Sequence, residues 1–246
     1  MKLKVIDNIY KDFVLNIEKY FSEKNKILQD KRNKIIQIDY NNKKYVIKSF
    51  KIPHIINKIA YTFFRDSKAK KSFNNSLTIS NFTPKPIGYI EFKKFGLINK
   101  SFYICEEFDY DFTIRELLFD DNFNNKKDIL KEFASFTNQL HKKGIYHLDY
   151  SPGNILIKKI DKNFEIKVVD VNRMKFIDFD IETRAKNFAK IWLKDNDLEY
   201  IIKEYTKLND INYNEIIDIA LDYSRKHKEK KNFKKRLKGM IKNVKR

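Results

Sequence analysis

Two carboxylates and one amide define the chemistry open to this chain. Asp149 lies within His147-Leu148-Asp149-Tyr150-Ser151-Pro152-Gly153-Asn154, and Asp170 follows the apolar pair Val168-Val169. Phosphoryl transfer needs one carboxylate to orient an acceptor hydroxyl and oxygen ligands to hold magnesium over nucleotide phosphates. Asp149 suits the first role. Asn154 can fold back toward a metal from the same loop, and Asp170 can meet it from the next strand. A bare H-x-D-x-x-x-x-N turns up by chance in roughly a few percent of chains this long. Context raises its weight. Ile155-Leu156-Ile157, a turn at Asp161-Lys162-Asn163 and the run Phe164 to Val169 read as a hairpin joining the two halves of the motif.

The elements that position these residues follow from periodicity and turn chemistry. Residues 35–40 and 45–50, around Asn41-Asn42-Lys43-Lys44, predict a hairpin with Lys48 in mid-strand. A strand lysine is usually solvated, but beside this motif it is a candidate for nucleotide phosphates. Helical spacing covers 55–64 and 69–79, Thr83-Pro84-Lys85-Pro86 breaks the second helix, and strands follow over 87–92 and 102–108. A hinge falls there, and the backbone from Glu106 to Phe108 is the place where an adenine would find hydrogen bonds. Helices are expected over 113–118, 126–143, 183–193, 198–208 and from Asn214 onward. Strands first and helices after make an α+β order in two lobes, 1–108 and 109–246.

Composition narrows the classes. The 246 residues, 42% hydrophobic, suffice for a sizeable core, and one cysteine excludes a disulfide framework and a cysteine-rich zinc site. No apolar run of membrane-spanning length exists, and the first residues lack the apolar stretch of a secretion signal, so a cytoplasmic protein, soluble or peripheral, is expected. The net charge of +19 predicts attraction to polyanions, although abundant Lys, Asn and Ile also reflect coding bias. Its distribution is more telling: Ser224 to Arg246 holds twelve Lys or Arg against one Glu. Phe233, Leu237, Met240, Ile241 and Val244 recur there at helical spacing, which suits either an anionic membrane surface or packing on the larger lobe.

H-L-D-Y-S-P-G-N and V-V-D-V-N-R-M-K-F, preceded by Y-V-I-K-S-F-K and T-P-K-P-I-G-Y, resemble the bacterial lipopolysaccharide kinases of the Kdo/WaaP type. The resemblance implies a protein-kinase-like two-lobe fold, with a small N-terminal antiparallel β lobe and a larger, mainly helical C-terminal lobe. It implies an ATP-dependent enzyme that phosphorylates a Kdo or heptose hydroxyl of the lipopolysaccharide inner core, with ATP and Mg2+ as cofactors. Carried over residue by residue, Asp149 is the base, Asn154 and Asp170 hold magnesium, and Lys48 contacts nucleotide phosphates. The implied partners are lipopolysaccharide or its lipid A-core precursor and the anionic inner-membrane surface, at its cytoplasmic face. Nucleic acid and an obligate protein partner are not expected.

A conventional protein kinase fits less well. Ser151 stands where serine/threonine kinases usually carry a lysine, and the stretch between Asp170 and the helix near Thr183 is too short for a peptide-binding activation segment. Two departures from the kinase pattern also stand out. No Glu occurs between Lys48 and Glu91, and Lys70 occupies the place of the usual helix glutamate, with Asp66 a turn earlier as a substitute. The loop 30–34 has no glycine, so Lys31, Arg32 and Lys34 would bind phosphates through side chains. Two alternatives stay open: a RIO-like atypical protein kinase that binds RNA, and a non-catalytic pseudokinase serving as a membrane adaptor. His147 is expected to brace its loop. His141 is expected at a helix C-terminus, favoured by the dipole.

Overall fold

Asn41 and Asn42 both adopt left-handed backbone, φ 49° and 59°, which matches the two-residue turn that twists with its flanking strands. That turn fixes the register of β3 (Lys34–Tyr40) on β4 (Lys43–Ser49), with Tyr40 opposite Lys43 and Ile35 opposite Lys48. Alternation then sorts the faces. Tyr45 and Ile47 enter one core with Ile36, Ile38, Phe13 and Ile104, while Val46 and Lys48 take the other face.

The computed structural model describes residues 1–22, 25–30 and 32–244. Chain contacts divide it into two units: Met1–Asp109 with Lys167–Arg173, and Tyr110–Ile166 with Met174–Arg246. The first unit holds a six-stranded sheet in the order β1-β5-β6-β4-β3-β2, in which β1 is Lys2–Val5, β2 Lys26–Asp30, β5 Pro86–Lys94 and β6 Leu97–Glu106. Every pairing in it is antiparallel. Short helices α1 (Lys11–Leu15) and α2 (Ile17–Ser22) cover one face; Phe13, Val14 and Ile17 are fully buried there. On the other side lie α3 (Ile55–Ile59), continued by a π-wound turn Ala60–Phe64, and α4 (Lys68–Thr78). Ser67 caps α4 by accepting from Lys70 N, and Ala69 and Phe73 bury against Phe50, Tyr89, Tyr103 and Cys105. Residues 1–30 contribute two strands and two short helices that pattern alone does not announce.

The second unit opens with β7 (Phe112–Thr113) and α5 (Ile114–Phe119), joined by a capping box in which Thr113 and Glu116 satisfy each other's backbone ends. The helix α6 (Lys126–Lys142) turns into β8 (Ile145–His147) at Gly144, φ +69°, where a Cβ would approach the Ile177 carbonyl oxygen to 2.9 Å. Only glycine fits that corner without a shift. The hairpin strands β9 (Ile155–Ile160) and β10 (Asn163–Val168) form a sheet in the order β10-β9-β7, and β11 (Met174–Phe176) pairs with β8. The helices α7 (Ile181–Phe188), α8 (Asp195–Thr206) and α9 (Tyr213–Val244) complete the unit. The fold is thus α+β, with an antiparallel sheet in the N-terminal part and a helical C-terminal part, as expected.

Among the described residues no helix is long and apolar enough to cross a membrane. Ile216, Ile217 and Ala220 of α9 are buried, but farther along Phe233, Leu237 and Met240 are exposed, so the expected stripe is not packed at those three positions. The side chains of Ile241 and Val244 lie outside the described residues.

Candidate active site

The candidate residues fall into two sets, one in each unit. In the first unit, Lys48 is 8% exposed and its Nζ lies 2.7 Å from Asp170 Oδ1. Strand periodicity puts Lys48 beside Val46, opposite Ile35 and Tyr103, and β10 delivers Asp170 just past its end. Asp170 has φ 59°, left-handed backbone that costs a non-glycine residue on the order of 1 kcal/mol. Its carboxylate also accepts from Asn172 Nδ2, and Asn75 of α4 donates to the Val171 carbonyl at 2.6 Å. The strained turn is therefore held from both sides.

This corrects the expected place of the helix acid. Lys70 pairs with Asp66 at 2.7 Å, and the carboxylate that meets Lys48 is Asp170. Glu91, the first glutamate after Lys48, is 4% exposed and accepts a hydrogen bond from Ser67 Oγ at 2.5 Å. It anchors the start of α4. Chain spacing gives no sign of either pairing, because both partners come from distant strands.

Of the other residues named for nucleotide contacts, Lys31 lies outside the described residues. Arg32 is exposed in the short connection between β2 and β3. Glu106 ends β6; its amide donates to the Lys85 carbonyl, and the Glu107 amide donates to Lys44. Those two amides are committed to the fold. The Phe108 amide makes no such bond among the described residues, which leaves it for a base edge.

In the second unit the loop after β8 is built from short-range bonds. The Asp149 amide donates to His147 Nδ1 at 3.0 Å, Ser151 N to the Asp149 carbonyl at 2.8 Å, and Asn154 Nδ2 to that same carbonyl at 2.9 Å. Asn154 thereby turns its amide nitrogen inward and keeps Oδ1 as the atom suited to a cation. Tyr150 between them is fully buried, stacks on Phe133, and shares a 2.9 Å bond with Thr137. Burial pushes its phenol well above the ordinary range, so it is a neutral strut.

A chain of hydrogen bonds, neutral from Tyr205 onward, supports this loop from behind. Arg184 donates to the Tyr205 hydroxyl, which frees the Tyr205 proton for His141 Nδ1 at 2.8 Å. His141 Nε2 then donates to Asn187 Oδ1 at 3.0 Å, and Asn187 Nδ2 reaches the His147 carbonyl at 3.4 Å. His141 lies in the last turn of α6, as expected, but burial rather than the helix dipole decides its charge. It is 3% exposed, and burial pushes its pKa down to about 3, against the Asn187 bond that raises it. His147, fully buried, braces the loop as expected. Asn187 and Tyr205 escaped the sequence reading, since no spacing ties them to the loop.

These residues fit a nucleotide with a divalent cation. Within the first unit Lys48 offers a desolvated positive charge to phosphate and Asp170 a hard oxygen ligand, and within the second unit Asn154 offers Oδ1; a magnesium ion that keeps phosphate oxygens and water would need few protein ligands. Among the described residues no cluster of three or more His, Cys, Asp or Glu could hold a metal by itself. Gln37, which pairs across from Val46 on the Lys48 face, donates Nε2 to Glu107 at 3.2 Å and leaves its buried Oε1 without a hydrogen bond. Such an orphan acceptor suits the amino group of a base.

No protein of curated function matches the chain in sequence. Among solved structures it is similar to WaaP in complex with acyl carrier protein, at 14% identity and a TM-score of 0.61, with 93% of this chain and 99% of that one covered. That likeness speaks for the fold. The family described as "Lipopolysaccharide kinase (Kdo/WaaP) family" matches residues 74–211, more than half of the chain, from within α4 to just past α8. The chain belongs to the lipopolysaccharide kinase (Kdo/WaaP) family.

Proposed function

We propose that this phosphotransferase moves the γ-phosphoryl group of ATP to a Kdo or heptose hydroxyl of the lipopolysaccharide inner core, at the cytoplasmic face of the inner membrane. The observation that carries the reading is the ion pair of buried Lys48 with half-buried Asp170 in a chain that also keeps Asp149 and Asn154 on one braced loop. In this reading Asp149 accepts the proton of the acceptor hydroxyl, and the bonds from its amide and carbonyl fix the direction of its side chain. Asn154 and Asp170 hold magnesium through Oδ1 and the carboxylate. Lys48, with Arg32 and Lys31, holds nucleotide phosphates, and the Phe108 amide meets the adenine edge. Bound ATP and magnesium supply a charge-screened, electrophilic phosphoryl group. The basic α9 tail, with Phe233, Leu237 and Met240 exposed among lysines, supports peripheral contact with an anionic membrane.

The test is phosphate transfer from ATP to inner-core lipopolysaccharide, followed by mass spectrometry of the product. Asp149→Asn should lower turnover by roughly 10²–10⁴-fold while ATP still raises the melting temperature. Transfer by the variant at the wild-type rate overturns the assignment of the base. The solved WaaP is a complex with acyl carrier protein. Gel filtration of this chain mixed with acyl carrier protein decides whether that partnership extends to it.

A further inference from the structure

The segment from Lys51 to Arg65 packs the wrong way round for an ordinary surface helix. Lys58 and Thr62 face the body of the first unit: Lys58 Nζ donates to Asn99 Oδ1 at 3.2 Å, and the Thr62 hydroxyl accepts from the Ile98 amide at 3.0 Å. The large apolar residues Ile52, Ile55, Ile56, Ile59, Phe63 and Phe64 point to solvent, with Ile56 78% and Phe64 82% exposed. A helix that bonds to the protein through its polar side leaves an apolar ridge with no role in the fold. Monomeric soluble proteins rarely expose such contiguous patches without using them.

Charge says what the ridge meets. Residues 51–65 contain Lys51, Lys58 and Arg65 and no acidic residue. Beside the ridge is a cavity of about 260 Å³ lined by Arg32, Lys51, His54, Asn57, Lys68 and Ser101 among others, with no carboxylate in its wall. That is smaller than the ~300–1,000 Å³ of drug-sized pockets and suits a headgroup phosphate. Arg32, Lys51 and Lys68 have no ion-pair partner among the described residues. Burial first, then Arg32, Arg173 and Lys48, lower the pKa of Lys68, opposed by Asp170, as expected where positive charge is in excess.

We propose that residues 51–68 form a bilayer-docking element, in which the Ile52–Phe64 ridge seats in the acyl boundary of an anionic membrane and the adjoining basic cavity takes the phosphate of a lipid headgroup. It depends on the kinase reading only for the identity of that lipid. Amphipathic interfacial segments bind by buried apolar area plus attraction to anionic lipid, and this segment has both.

Flotation of the full chain with vesicles tests it, using phosphatidylcholine alone or phosphatidylcholine doped with phosphatidic acid. The protein should float with the doped vesicles only, and Ile56→Ser with Phe64→Ser should weaken that binding by at least about tenfold. Lys51→Ala should weaken binding to doped vesicles severalfold. Unchanged flotation of the double variant overturns the proposal, as does its persistence until Phe233 and Leu237 of the tail are also replaced. Release by inorganic phosphate would assign the cavity to free phosphate and overturn its lipid role; ATP is kept out of this assay because Arg32, in the cavity wall, also serves the nucleotide in the kinase reading. With a deacylated, water-soluble core acceptor the double variant should transfer phosphate at the wild-type rate; a loss there means the ridge acts otherwise than by docking. If the wild type transfers none, the kinase reading fails while the vesicle result still judges the docking.

Discussion

The two candidate half-sites are held by different physics. Lys48 and Asp170 are fixed by opposite charge at 2.7 Å in a partly desolvated place, where each is the other's main neutraliser. Asp149 and Asn154 are fixed by neutral bonds that run back through His147, Asn187, His141 and Tyr205 into the helices of the second unit. A charged pair can exchange partners when an anion or a cation arrives, because both members keep their charge. A neutral relay has no such freedom, since every donor already has its acceptor. The first arrangement suits groups that must bind and release a charged ligand, and the second suits a base whose direction must not change.

Substitutions can break this contrast, and the largest effect is expected on the charged side. Lys48→Ala should cut turnover by about 10²–10³-fold and weaken nucleotide binding, yet leave the melting temperature nearly unchanged because Asp170 remains partly open to water. Calorimetric ATP titration beside the transfer assay checks both halves. On the neutral side Asn187→Ala should do the reverse. It strands a buried His141 donor and should cost about 2–3 kcal/mol of stability, read by urea unfolding, with a smaller loss of turnover.

Acid sharpens the comparison. The unfolded chain protonates His141 near the ordinary 6.5, whereas the folded chain resists until about 3. Its contribution is complete above 6.5 and is lost as pH falls through that window, up to about 5 kcal/mol. Stability should therefore decline more steeply from pH 6 to pH 4 in the wild type than in His141→Gln, whatever the variant's absolute stability. A parallel decline in both would show that the histidine is not held neutral. The smallest effect belongs to Lys70→Ala: its pair with Asp66 is a surface i,i+4 contact worth under about 0.5 kcal/mol, and turnover should stay within twofold. A large loss of activity would return Lys70 to the phosphate side.

Local signals were the readable ones. The β3–β4 and β9–β10 hairpins were visible because Asn41-Asn42 and Asp161 tolerate left-handed backbone and flank alternating strands. The loop from His147 to Asn154 was visible because its bonds span five residues or fewer. What sequence hid was long-range. Lys48 meets a carboxylate from the turn after β10, and Glu91 serves Ser67; nothing in spacing distinguishes these from the expected Lys70 or Asp66. Burial of His141 was hidden for the same reason, since its partners lie on α7 and α8. The 55–64 helix was read correctly as a helix, but which face it turns inward depends on Ile98 and Asn99, which periodicity does not see.

Residues 167–173 group with the N-terminal unit although the chain reaches them only after β10. The N-terminal half is therefore not a cassette that can be cut out by a single scission. A fragment stopping at Asp109 would bury an uncompensated Lys48 ammonium, and a chimera that swaps only the first stretch between relatives would join a lysine from one ancestor to an aspartate from another. Those two stretches have to be exchanged together, because the ion pair that joins them spans more than a hundred positions of sequence.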